Sequence, residues 1–189
     1  MTRSSRDSLI PSNIPMSVIN VPATALVILI GPAGAGKSTF ALRHFPADAI
    51  VSSDRLRQLV LGDESSQQGN DGIFQRIHEL VAERAAAGLL TVIDATNTRG
   101  PQRSELAWNA HRHHRPLIAV AFTLPLETCL AGNANRPHTV PARVIRQQVE
   151  DLRHLEADLE IEGYAAIHFL RSAAEVEAAE VIVTTAGMA

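Results

Sequence analysis

The stretch Gly31-Pro-Ala-Gly-Ala-Gly36-Lys37-Ser38-Thr39 follows the apolar run Ala25–Ile30 and precedes the helix-compatible Phe40-Ala-Leu-Arg43. A G-x-x-x-x-G-K-S pattern in this strand-to-helix setting is a phosphate-binding P-loop. Its glycines permit turns that a Cβ would obstruct, so consecutive backbone N–H groups of the loop can converge on a nucleotide phosphate. The helix that follows aims its positive end at the same point. In this arrangement Pro32, Ala33 and Ala35 complete the cradle with Gly31, Gly34 and Gly36, Lys37 reaches the β- and γ-phosphates, and the Ser38 hydroxyl ligates Mg²⁺. Lys37 is the only lysine beside 16 arginines. A chain that uses Arg everywhere else keeps a compact ammonium here, where a planar guanidinium would fit phosphate differently.

The rest of the chain is read around that loop. Strands are expected at 25–30, 49–51, 89–94, 116–124 and 165–170, with 181–185 as a possible sixth. Helices are expected at 55–61 and 73–87, at 101–111 and 125–133, and along one long apolar stripe, Ile145, Val149, Leu152, Leu155 and Leu159, ending at Gly163. Gly62 to Gly72 reads as a mobile polar loop. Such alternation predicts an α/β fold of the P-loop NTPase, nucleotide-kinase-like kind. It would have a parallel sheet of about five strands, helices on both faces and the nucleotide at the carboxyl ends of the strands. Residues 1–22 are expected to be a flexible arm and 23–189 a single domain, with a small lid near 133–143 where Asn-Ala-Asn-Arg-Pro-His-Thr-Val-Pro breaks the helical pattern.

Composition excludes several alternatives. At 189 residues and 46% hydrophobic the chain fits one domain. A net charge of −3 supplies no global attraction to nucleic acid, so polynucleotide contacts would have to come from local arginines. The lone Cys129 forms no internal disulfide and sits in an apolar helical pattern as a core residue. With no secretory leader and no apolar run long enough to span a bilayer, a cytoplasmic protein without membrane contact is expected.

A P-loop specifies a nucleotide, not a reaction. Ser53-Asp54-Arg55-Leu56-Arg57 follows the second strand, where a carboxylate can take the proton of an attacking hydroxyl and an Arg one turn on can hold a substrate phosphate. The competing reading is that Asp54 only caps its helix. Asp94 ends a buried strand expected beside the P-loop strand, where it can hold Mg²⁺ through water or orient an Arg. Arg99 and Arg103, at the entry to the next helix, either line an acceptor groove or are surface charges. Arg136 in the lid segment can neutralise the transferring group, with His138, Arg143 and Arg146 nearby as reserves. The His111-Arg-His-His-Arg115 run reads equally as a helix cap or a contact surface.

The order of P-loop, Ser52-Ser-Asp54-x-x-Arg57, Asp94-Ala-Thr-Asn97, Arg136 and Val144-Ile-Arg-Gln147 resembles the kinase domain of bacterial polynucleotide kinase-phosphatase. It is similar, more distantly, to phage-type polynucleotide kinases, over roughly residues 25–170. The resemblance implies Mg²⁺-dependent transfer of the γ-phosphate of ATP or GTP to the 5′-hydroxyl of DNA or RNA. It matches Asp54 to the general base, Arg57 to the contact with the acceptor phosphate, Lys37 and Ser38 to the phosphate and Mg²⁺ ligands and Arg136 to a lid arginine. Asn97, Arg99 and Arg103 are further candidate substrate contacts. The lid departs from the pattern, reading Gly132-Asn133 and His138-Thr139 where the family carries further charge. A small-molecule kinase of the same fold and a nucleotide hydrolase without a phosphoryl acceptor are the alternatives.

Overall fold

The computed structural model describes residues 17–61 and 70–185. In chain order it contains β1 (Val18–Pro22), β2 (Leu26–Ile30), α1 (Lys37–His44), β3 (Ile50–Ser52), α2 (Ser53–Leu61), α3 (Asn70–Ala86), β4 (Thr91–Asp94) and α4 (Gly100–Arg112). These are followed by β5 (Leu117–Phe122), α5 (Leu126–Ala134), α6 (Ala142–Glu150), α7 (Leu155–Ile161), β6 (Ala166–Leu170), α8 (Ala173–Ala178) and β7 (Glu180–Thr184). Residues 62–69 of the expected polar loop lie outside the described residues, and 70–72 already belong to the first turn of α3.

Five strands form one wholly parallel sheet in the order β3-β4-β2-β5-β6. The β-branched and leucine-rich strands β2 and β5 occupy the middle and are buried at every position, as a sheet covered on both faces requires. Alternate side chains divide between two cores. Val27 and Leu29 pack with Phe40, Cys129 and Ile145 on one face, while Leu26, Ile28 and Ile30 meet Ile73, Ile77, Leu106, Leu155 and Leu159 on the other. The link leaving β2 runs to one side of the sheet and the link leaving β5 to the other. A crevice therefore opens at the carboxyl ends of the central strands.

Two expectations are corrected. Residues 18–22, assigned above to a flexible arm, form β1 and pair in parallel with β7, Ile19 opposite Val181. The alternation Val18-Ile-Asn-Val21 buries Ile19 and Val21 completely, and Pro22 falls at the last strand position, where a missing N–H costs least. This pair makes a separate two-stranded sheet, so β7 does not extend the main one. The long helix expected through Leu159 is divided into α6 and α7 by the turn 151–154. Its stripe serves two faces: Ile145 enters the core beside α1 and α5, whereas Leu155 and Leu159 enter the one beside α3 and α4. A straight helix presents one stripe to one core, so the chain turns as it crosses the edge of the sheet.

Candidate active site

The P-loop joins β2 to α1. Gly34 and Gly36 take positive φ of 80° and 90°, a region that L side chains rarely occupy. The loop is also docked onto α5 through bare backbone: a Cβ on Gly34 would lie 2.1 Å from the Cys129 carbonyl oxygen, and one on Gly132 would lie 2.2 Å from the Gly34 carbonyl oxygen. Gly132 is thus the partner surface of the P-loop, which accounts for the absence of a charged side chain there.

Lys37 begins α1 and is only 7% exposed. Its Nζ donates to the carbonyl oxygens of Gly31 (2.9 Å) and Pro32 (2.8 Å), tying the two ends of the loop together. Burial lowers its pKa to about 8, against the opposing pull of the Asp94 carboxylate. Ser38 and Thr39 are exposed. With Gly34, Gly36, Lys37, Gly132 and Arg136 they line a cavity of about 300 Å³. A second cavity of about 360 Å³ shares Gly34, Gly36, Thr39 and Gly132 with it and continues between α5 and α8. Its apolar walls, Leu124 and Val176 among them, suit the base of a nucleotide whose phosphates lie in the first.

Asp54 and Asp94 are brought together by register. Ser52 at the end of β3 pairs with Asp94 at the end of β4, so the start of α2 stands beside the strand that flanks the P-loop strand. The Asp54 carboxylate accepts one hydrogen bond from the Arg57 guanidinium and one from that of Arg136, each at 2.8 Å. Ser52 supplies the weak cap of α2, its Oγ 3.5 Å from the Arg55 N–H, so Asp54 is directed across the site toward the lid. The segment joining α5 to α6, where a lid is expected, is pinned by Asn133, whose amide donates to the Val140 carbonyl and accepts from the Val140 N–H, both at 2.9 Å.

Not every expected residue faces this crevice. Asn97 is 3% exposed, with φ 48°, and its Nδ2 donates to the Leu29 carbonyl at 2.8 Å, fastening the β4–α4 turn to the P-loop strand. Arg103 is completely buried. Its guanidinium is spent on Glu162 (2.7 Å), Asp158 (3.5 Å) and the carbonyls of Asn97 and Thr98. Neither side chain lines an acceptor groove, because a buried polar group must be satisfied internally. Arg99 does face a cavity, described below. Of the basic run, Arg115 donates to the Ala85 carbonyl at the end of α3 (2.7 Å) and Arg112 lies over the Trp108 ring, so it serves helix packing. A cavity of about 800 Å³ between α3 and α4 contains none of the expected site residues.

Gln148 was not foreseen. From α6 its Oε1 accepts the Ala33 N–H at 2.9 Å, bracing the P-loop and holding an N–H expected in the phosphate cradle. No sequence signal links two residues 115 positions apart.

A parallel sheet in this strand order, a P-loop on its central strand and carboxylates at the two neighbouring strand ends define a P-loop, kinase-like nucleotide-binding fold. A family model described as an AAA domain matches residues 26–155, and the chain belongs to that family. Among solved structures it is similar to a chain of the Pnkp1/Rnl/Hen1 RNA repair complex, with a TM-score of 0.61 and 21% identity over 79% of this chain and 48% of that one. It is also similar to a gluconokinase from Sinorhizobium meliloti 1021 (0.51, 16%, 82% and 87%). A third likeness is to the AvrRxo1-ORF1:AvrRxo1-ORF2 complex with sulphate ions (0.60, 18%, 81% and 55%). These likenesses are of fold. The chain spans about half the length of the RNA-repair chain. No curated protein matches it by sequence. Among the described residues no helix is long and apolar enough to cross a membrane.

Proposed function

We propose that this protein transfers the γ-phosphate of ATP or GTP to the 5′-hydroxyl of DNA or RNA. The observation that carries the reading is the placement of Asp54, held between Arg57 and Arg136, the second of which lines the cavity that contains Lys37 and Ser38. The carboxylate accepts the hydroxyl proton as that oxygen bonds to the γ-phosphorus. The bond from phosphorus to the β,γ-bridging oxygen breaks, and the diphosphate leaves. Lys37 holds the phosphates, Arg57 the acceptor phosphate and Arg136 the charge that develops on the transferring group. One exposed hydroxyl, Ser38, and one buried carboxylate, Asp94, suit a hard cation that keeps several waters and phosphate oxygens. Mg²⁺ bound there would supply charge neutralisation on the β- and γ-phosphates.

The test offers γ-labelled ATP or GTP with Mg²⁺ to a 5′-hydroxyl oligonucleotide and, separately, to its 5′-phosphorylated twin. Label on the 5′-hydroxyl strand alone is the expected result. Phosphate release with neither strand labelled overturns the acceptor assignment and leaves nucleotide hydrolysis. A small-molecule kinase is the second reading, favoured by the chain's spanning 87% of the gluconokinase it resembles in fold. Transfer to a sugar hydroxyl but to no strand would establish it.

A further inference from the structure

A cavity of about 510 Å³ lies between the β4–α4 turn and α6, lined by Thr96, Thr98, Arg99, Gln102, Arg143 and Gln148 among others. It is linked to the P-loop by Gln148, which lines it while its Oε1 accepts the Ala33 N–H. Its two arginines are unlike those of the crevice. Arg57 and Arg136 are both ion-paired to Asp54. Arg99 and Arg143 are exposed, and no hydrogen bond or ion pair to either guanidinium is found among the described residues. The carboxylate in the lining, Asp151, is occupied by the Thr98 hydroxyl (3.4 Å) and the Gln147 amide (2.9 Å). Neither α4 nor α6 places an acidic residue in its first turn, so Asp151 is the one carboxylate of the lining and the two guanidiniums outnumber it. Two free guanidiniums over hydroxyl and amide groups, beside a phosphoryl-transfer centre, have the chemistry of a phosphodiester site.

We propose that this cavity binds the second internucleotide phosphate of a single-stranded acceptor, held by Arg99 and Arg143. The inference rests on the polynucleotide reading above and gives that acceptor a minimum length. A strand with two linkages engages both the Arg57 side of the crevice and this cavity, and a strand with one engages only the first. The polar lining of hydroxyls and amides carries no aromatic platform for a base, so the backbone, not the sequence, is what it holds.

The experiment has two arms. In the first, the intact protein phosphorylates a dinucleotide with one linkage, a trinucleotide with two, and that trinucleotide with a neutral methylphosphonate at the second linkage. The second charged linkage should raise kcat/KM about 10- to 100-fold, the range of one or two charge-assisted hydrogen bonds. The methylphosphonate should remove that gain, and so should Arg99→Ala combined with Arg143→Ala. A gain that survives in the double variant, or a methylphosphonate that behaves like the charged strand, overturns the proposal. In the second arm, binding of a fluorescent 5′-hydroxyl strand is titrated against salt. The double variant should flatten the slope of log K against log salt by about 0.7, the share of one phosphate on a single strand. Labelling with no change in slope sinks this site alone. A flattened slope with no labelled strand sinks the transfer reading and leaves the site. A double variant that weakens binding of a phosphorylated sugar and not of the strand assigns the cavity to a small anion and refutes the proposal.

Discussion

Replacing Gly132 by Ala should disable the P-loop from outside it. The added Cβ would lie 2.2 Å from the Gly34 carbonyl oxygen and 3.1 Å from its carbon. Ordinary contact needs roughly 1 Å more than the shorter of these, and both neighbours are backbone, so either the loop or α5 has to move. Overpacking of this kind costs about 1–3 kcal/mol, and contact with main chain puts this case at the upper end. The intrinsic gain of about 1 kcal/mol from Gly to Ala in a helix offsets part of it. A net loss of about 2 kcal/mol in a chain of this size lowers Tm by roughly 4–8 °C. Displacement of the cradle by about 1 Å should cost on the order of 100-fold in turnover. Gly72→Ala is the control, since a Cβ there meets nothing within 4 Å among the described residues, and it should stabilise by about 0.5–1 kcal/mol. Calorimetric unfolding, titration with a non-hydrolysable triphosphate and steady-state turnover read all three effects. Wild-type Tm and nucleotide affinity in Gly132→Ala would refute the backbone-docking argument.

The other predictions concern the charged groups. Asp54→Ala should abolish transfer while leaving triphosphate affinity within a few-fold of wild type, measured by label transfer and calorimetry; a variant with full transfer would remove Asp54 as the base. Lys37→Ala should weaken triphosphate binding and turnover together, and an unchanged steady-state rate would take the loop out of the mechanism. Because burial lowers the Lys37 pKa to about 8, the unfolded chain holds more protons than the folded one from there up to the ordinary value of 10.5. The Lys37 contribution to stability should therefore rise with pH across that window, and wild type minus Lys37→Met in urea titrations would show no such rise if the side chain were solvated. The same shift predicts proton uptake when a triphosphate binds at pH 9, seen as a dependence of the apparent binding heat on buffer ionisation. Glu162→Ala leaves the Arg103 guanidinium buried without its nearest carboxylate, and should cost about 3–5 kcal/mol in denaturant unfolding.

Local features of the fold were legible because they follow from short-range pattern. The apolar runs of β2 and β5, the turn glycines and the amphipathic face of α3 each fix their element within a few residues, and the alternation of strands with helices fixes a parallel sheet. Pattern misled where a segment serves two partners. The stripe from Ile145 to Leu159 has one period but enters two cores, and the period does not record which core each turn meets. Residues 18–22 are too short and too interrupted to announce a strand, and they become one because β7, more than 150 residues on, supplies the hydrogen bonds.

The site divides along the same line. Residue type and place along the chain put Lys37, Ser38, Asp54, Asp94 and Arg136 near one crevice, since each belongs to a strand end or a loop at the carboxyl edge of the sheet. Type alone does not tell a working arginine from a structural one. Arg99 and Arg103 stand four positions apart with the same side chain. One is exposed over a cavity, and the other is sealed against Glu162 from 59 residues away. What separates them is the partner each finds across the fold. An arginine already holding a carboxylate and two carbonyls has no donors left for a substrate, whereas one with none among the described residues keeps its full complement. Asp54 shows the same dependence in reverse. The role proposed for it as a base rests less on its own place after β3 than on Arg136, 82 residues on, being carried back to it by the segment between α5 and α6.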